Sequence, residues 1–119
     1  MLAVDLIWKA HLEGKEHGLK ARALETLPPF GELRERQTAS DSWFCSFVDE
    51  QNEASLAEVI RFKFVDGGAG AMSRGDILLH ISNHKTYHRG YVADMLYESE
   101  LRPPTMDLPV FLRDALSHL

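Results

Sequence analysis

The stretch from Asp76 to about Glu100, "DILLHISNHKTYHRGYVADMLYESE", constrains the fold more than any other part of the chain. Asp76 is a helix-capping residue type at its head, and Pro103-Pro104 stop whatever precedes them. The spacing predicts one long helix between these marks. A helix of that length with apolar residues along one side needs other helices to cover it, which predicts a helix bundle.

The preceding segments support that picture. "AVDLIWKAHL" sets Val4, Ile7, Trp8 and Leu12 at helical spacing. It starts without a capping residue and reads like the middle of a helix. Gly14 and Gly18 break it, and a connecting loop runs to Pro28-Pro29. "GELRERQTASDSWFCSFVDEQNE" predicts a second helix. Its stripe is Leu33, Arg36/Gln37, Ser40, Trp43/Phe44 and Phe47/Val48, with Cys45 beside it. The period then changes. Val59, Arg61, Lys63 and Val65 alternate with Ile60, Phe62 and Phe64 before the turn signal "DGGAG". A small hairpin or extended connector is expected here. "DLPVFLRDAL" predicts a short terminal helix, with Asp107 as its cap and Pro109 in its first turn. The expected fold is all-α, an up-down bundle with a short extended connector before the last long helix.

Composition narrows the function classes. The 119 residues fit a single domain, residues 1–119, and the 45% hydrophobic content is ordinary for a packed core. A net charge of −5 and the lack of a Lys/Arg block argue against nucleic acid as a partner. No apolar run approaches the roughly 20 residues that span a bilayer, so no membrane partner is expected. The N-terminus does not read as a signal peptide. A single cysteine, Cys45, makes an intrachain disulfide impossible, and a cytoplasmic location follows as the expectation.

Half of the six histidines lie in one short run on the long helix: His80, His84 and His88. With His80 at 0° on a wheel, His84 falls near 40° and His88 near 80°. Ile77 and Met95 lie near 60°, and Ile81 and Val92 at about 100–120°. His84 and His88 are therefore expected to point into the bundle, with His80 towards the edge of the stripe. A buried neutral imidazole needs partners for both ring nitrogens. A pair one turn apart can share a borderline divalent metal, because such side chains point the same way. The same spacing also suits two satisfied polar residues in a core, and both readings stand on the residues alone. Two histidines do not complete a tight site; a third protein donor is required.

"HISNHKTYHRGYVADML", followed by "RPPTMDLPVFLRD", resembles the DinB family of metal-binding helix bundles, in which an N-H-x-x-Y/H-H-R-G block lies on the last long helix. "AVDLIWKAHLEG" looks like the second helix of that fold and "GELRERQTASDSWFCSFV" like its third. "FKFVDGGAGAMSRGDILLH" resembles the connector into the fourth. Essentially the whole chain is covered. The resemblance implies a four-helix bundle lacking its first helix here. It also implies a divalent metal (Zn, Ni, Fe or Mn) between the second and fourth helices, with His84 and His88 as ligands. The family's third histidine would fall immediately before Met1, so the chain is expected to be truncated or to begin at an internal methionine. Tyr91 stands where family members often have Gln.

The resemblance implies two functions. One is a metal-dependent enzyme of the thiol transferase or hydrolase type, acting on a small thiol or other small molecule. The other is a non-catalytic stress or interaction bundle with an incomplete metal site. Asp5, Trp8, His80, Tyr87, Arg89 and Tyr91 are candidates for the pocket or its support. Arg89 is expected to pair with an acidic side chain rather than anchor an anion. His11 lies roughly 16 Å along the helix axis from the missing ligand. His11 and His17 are expected to face solvent and His118 to lie in a frayed end. Cys45, among Trp43, Phe44 and Phe47, is expected to be a buried structural thiol. Loss of one helix would expose parts of the Ile7/Trp8 and Ile81/Val92 surfaces, and a homodimer is expected to cover them.

Overall fold

The computed structural model describes residues 1–116, so His118 lies outside the described residues. The chain is mostly helical with one small sheet, and it divides into two compact units, Met1–Lys85 and Thr86–Leu119. The first contains α1 (Leu2–Glu13), α2 (Phe30–Asp49), the single-turn α3 (Glu53–Ala57), β1 (Val59–Lys63) and β2 (Ala69–Ser73). The helix α4 (Arg74–Glu98) gives its residues up to Lys85 to this unit and the rest to the second. α5 (Leu108–Ala115) completes the second unit.

α1 ends as its sequence dictates. Gly14 adopts φ +68°, and its N–H reaches back to the carbonyls of Ala10 and His11. Only glycine takes this left-handed conformation without a steric penalty, so the helix stops here. Leu2, Ile7, Trp8 and Leu12 are buried. α1 packs against α2 and β1. On α2 the expected stripe holds for Leu33, Gln37, Ser40, Trp43, Phe44 and Phe47, which are buried or half-buried. Cys45 corrects the expectation of a buried thiol: it is exposed. It follows the buried Phe44, and one residue turns a helix by about 100°, enough to carry it off the covered face.

The hairpin is present. β1 and β2 pair antiparallel, with Val59 opposite Ser73 and Lys63 opposite Ala69. The alternation along β1 holds: Phe62 is buried and Ile60 half-buried, while Val59, Arg61 and Lys63 are exposed. The weak second arm has a physical reason. Gly70 lies opposite Phe62, and a Cβ there would approach the Phe62 ring to 2.5 Å. The short α3 was not expected. Its signal is Asn52 with Ser55, which form a reciprocal capping box.

The core of the first unit joins Trp8 and Leu12 of α1, Phe44 of α2, Phe62 of β1, and Ile77 and Ile81 of α4. Ile77 is entirely inaccessible to solvent. Fully burying a side chain of this kind contributes about 1.5–3 kcal/mol. Ile7, Trp8 and Ile81 thus depart from the expectation of exposed surfaces: all three are buried, and Trp8 and Ile81 join Phe44 of α2 and Phe62 of β1 in the core. α4 also starts two residues before Asp76. The capping oxygen belongs to Ser73, whose hydroxyl accepts from the Asp76 N–H at 3.0 Å.

In the second unit, α4 ends at Glu98. Glu100 takes φ +65° and the Leu101 N–H bonds the Leu96 carbonyl at 3.0 Å, a C-terminal closure in which a non-glycine residue occupies the left-handed position. α5 begins where expected, after Asp107 and with Pro109 in its first turn, although the Asp107 side chain makes no capping hydrogen bond.

Candidate functional site

The three helical histidines are not equivalent. His80 is exposed and stands at the stripe's edge, with its ring 5.3 Å from Trp8 and 5.8 Å from His84. His84 and His88 are both half-buried. Interior positions were expected. The apolar stripe they share is covered at Ile77 and Ile81, whereas Val92 and Met95 are more than half exposed.

Asp5 and Lys85 form the polar centre of the first unit. The Asp5 side chain is 1% exposed and lies 3.1 Å from the Lys85 ammonium, itself 17% exposed. Gln37 Nε2 donates to the same Asp5 oxygen at 2.8 Å. Lys85 also reaches Asp41 at 2.6 Å. One ammonium therefore ties α1 and α2 to α4. Burial opposes the Lys85 charge, but the hydrogen bonds and charges of Asp41 and Asp5 outweigh it and hold the ammonium above its ordinary lysine range. Asp5, a candidate pocket residue, is thus committed to a cation and an amide.

Trp8 is a core residue whose ring meets three others edge-on: Phe62 at 5.0 Å, His80 at 5.3 Å and His11 at 5.4 Å. His11 and His17 are half-buried, against the expectation that both face solvent. Their rings meet edge to face at 5.6 Å, and His11 also lies 5.0 Å from Phe62. Burial, and next the charge of His17, lower the His11 pKa below the ordinary imidazole value. These rings border a cleft of about 470 Å³ lined also by Arg61 and Lys63. The sequence signal for it was the alternation that sets two cations on one side of β1. It became visible only once the Gly14–Gly18 segment was placed beside that strand.

In the second unit, Tyr87 and Tyr91 are exposed, with rings 5.3 Å apart. The hydrogen bond to Tyr91, and then its charge, raise the Tyr87 pKa. Tyr87 also meets His88 edge-on at 5.7 Å. Arg89 Nη2 donates to the Thr86 hydroxyl at 3.0 Å, and among the described residues it forms no ion pair with an acidic group. It borders a cavity of about 320 Å³ with Tyr97, Pro103, Pro104 and Asp107.

Among the described residues, no three His, Cys, Asp or Glu side chains gather into a metal-holding group. Two imidazoles at helical spacing suit a borderline divalent ion in kind and would fill at most two coordination positions. No described helix is long and apolar enough to cross a membrane. No curated protein and no solved structure matches the chain. The sequence model of the DinB family matches residues 1–117, essentially the whole chain, and the chain belongs to the DinB family.

Proposed function

We propose that this DinB family member binds a divalent metal (zinc, nickel, iron or manganese) through His84 and His88. The observation that carries the reading is the family match over residues 1–117. The four-residue spacing of two half-buried imidazoles on α4 supports it. A metal bound there would lower the pKa of a bound water or thiol, the chemistry a thiol transferase or hydrolase uses on a small thiol or other small molecule. His80 borders His84 through a ring contact, and Trp8 in turn borders His80. Tyr87 borders His88, with Tyr91 and Arg89 on the same stretch of helix. We place the protein in the cytoplasm, where the exposed Cys45 stays reduced.

The test is metal content. Stoichiometric metal in the purified protein, lost in the His84→Ala/His88→Ala variant, supports the reading. No bound metal at saturating zinc, nickel or manganese sinks it.

A second reading is favoured by the missing third donor among the described residues. It makes the chain a non-catalytic stress or interaction bundle with an incomplete metal site. Metal binding weaker than micromolar, together with no thiol transfer, would select it. In either reading a homodimer covers the exposed Tyr91, Val92 and Met95 of α4. A clean monomer in light scattering at tens of micromolar would contradict this.

A further inference from the structure

We propose that the cleft between the Gly14–Gly18 segment and β1 binds the phosphate group of a small anion. The cleft measures about 470 Å³, within the range of small-molecule sites. Its lining carries Lys15, Arg61 and Lys63 with two imidazoles, His11 and His17, against one carboxylate, Glu16. Such a concentration of positive charge stands out on a chain whose net charge is −5.

The hairpin explains why this charge is uncompensated. Arg61 and Lys63 are two apart on β1 and share one side of the strand, and the buried Phe62 between them lines the cleft as well. Their cross-strand neighbours are Ala71 and Ala69, which carry no charge. Among the described residues neither cation forms an ion pair. Lys15 has only a 3.5 Å contact with Glu13.

Backbone and imidazole donors add to the cations. The Phe64 N–H bonds the Gly68 carbonyl, and the Arg74 N–H bonds the Glu58 carbonyl. Even-numbered residues of β1 therefore face β2, and the alternation of an antiparallel ladder turns the N–H groups of Arg61 and Lys63 to the opposite edge. Among the described residues that edge pairs with no second strand, because the sheet has two. His17 Nδ1 accepts the Leu19 N–H at 2.9 Å. A neutral His17 ring therefore carries its proton on Nε2 and offers a donor. A guanidinium, ammonium groups and the His17 N–H along one cleft suit the several oxygens of a phosphate better than a single carboxylate. The negative net charge disfavours a long polyanion in the same place. Neither proposed metal ligand lines the cleft.

The test is a two-dimensional amide NMR titration of the full chain in the presence of a chelator, at constant ionic strength set with chloride. The probes are inorganic phosphate and phenyl phosphate. We expect saturable shifts at residues 14–18 and 61–63. A loss of at least tenfold in affinity is expected in Arg61→Ala/Lys63→Ala, with no change in the exposed Lys20→Ala control. Phosphate should also move the titration midpoint of His11 upward, since an anion beside that ring favours its charged form. Tighter phenyl phosphate binding assigns the group to a phosphorylated small molecule, and equal binding assigns it to free phosphate. Absence of saturable shifts at up to tens of millimolar overturns the proposal. So does equal binding by the Arg61→Ala/Lys63→Ala variant with its amide spectrum intact, or an unmoved His11 midpoint at saturation.

Discussion

Replacing Lys85 by methionine should be among the most damaging polar substitutions in this chain. The reason lies in what it leaves behind. Asp5 has a side chain 1% exposed, and it would keep only the Gln37 amide at 2.8 Å. Stranding a buried carboxylate costs about 3–5 kcal/mol, more than the pair itself contributes when intact. We take about 3 kcal/mol because the Gln37 hydrogen bond remains. With a urea m-value of about 1.5 kcal/mol/M, the unfolding midpoint falls by about 2 M. Asp41→Ala provides the contrast. Asp41 touches the same ammonium at 2.6 Å, but its side chain is 51% exposed. Its loss should cost about 0–1 kcal/mol. Adding Asp5→Asn to Lys85→Met removes the stranded charge and should recover much of the loss, whereas two independent defects would add. The pH dependence has a definite sign. The folded-state pKa of Lys85 lies above its ordinary value of 10.5. The associated stability is therefore complete below 10.5 and is lost as pH rises through the folded value. The alkaline fall in Tm should accordingly be steeper in the wild type than in Lys85→Met. If Lys85→Met and Asp41→Ala prove equally mild in urea, the account of Asp5 as a buried, dependent charge is refuted.

Three other outcomes are expected. Gly70→Ala puts a methyl group 2.5 Å and 2.7 Å from two atoms of the buried Phe62 ring, and overpacking there should cost about 1–3 kcal/mol in denaturant unfolding. His11 has a folded pKa below its ordinary 6.5, so the stability linked to it is present above 6.5 and is lost as pH falls through the lowered value. Tm measured from pH 7 to pH 5 should fall less in His11→Gln than in the wild type. Cys45 is exposed, so a thiol reagent should modify it in the native protein at close to the rate seen in denaturant, whereas a buried thiol would react far more slowly.

The sequence made visible those features set by local periodicity. The Trp8, Phe44 and Ile77 stripes follow from helical spacing, and the hairpin follows from the alternation around Phe62. Features that depend on which partner covers a face were harder to read. Cys45 shares its neighbourhood with aromatic residues, yet it lies on the uncovered side of α2. His11 and His17 look like solvent-facing polar residues, but the chain after Gly14 brings their rings together beside Phe62. Of the candidate site, the spacing and identity of His84 and His88 were legible. Their half-burial was not, because a wheel gives direction and says nothing about where the covering stops.

The Lys85 network and the histidines share one helix register. His84 directly precedes Lys85, and a step of one residue turns a helix by about 100°. Lys85 can reach Asp5 on α1 and Asp41 on α2 only over a narrow range of rotation of α4. The same rotation sets the direction of His84, whose ring lies 5.8 Å from that of His80, itself against Trp8. An apolar stripe alone would fix that rotation loosely, since dispersion and burial are non-directional. A charge-assisted hydrogen bond to a nearly inaccessible carboxylate is directional and costly to misplace. With His84 as the proposed ligand, Asp5 would act as the residue that sets the angle at which α4 presents that imidazole, a role that requires no contact with a metal.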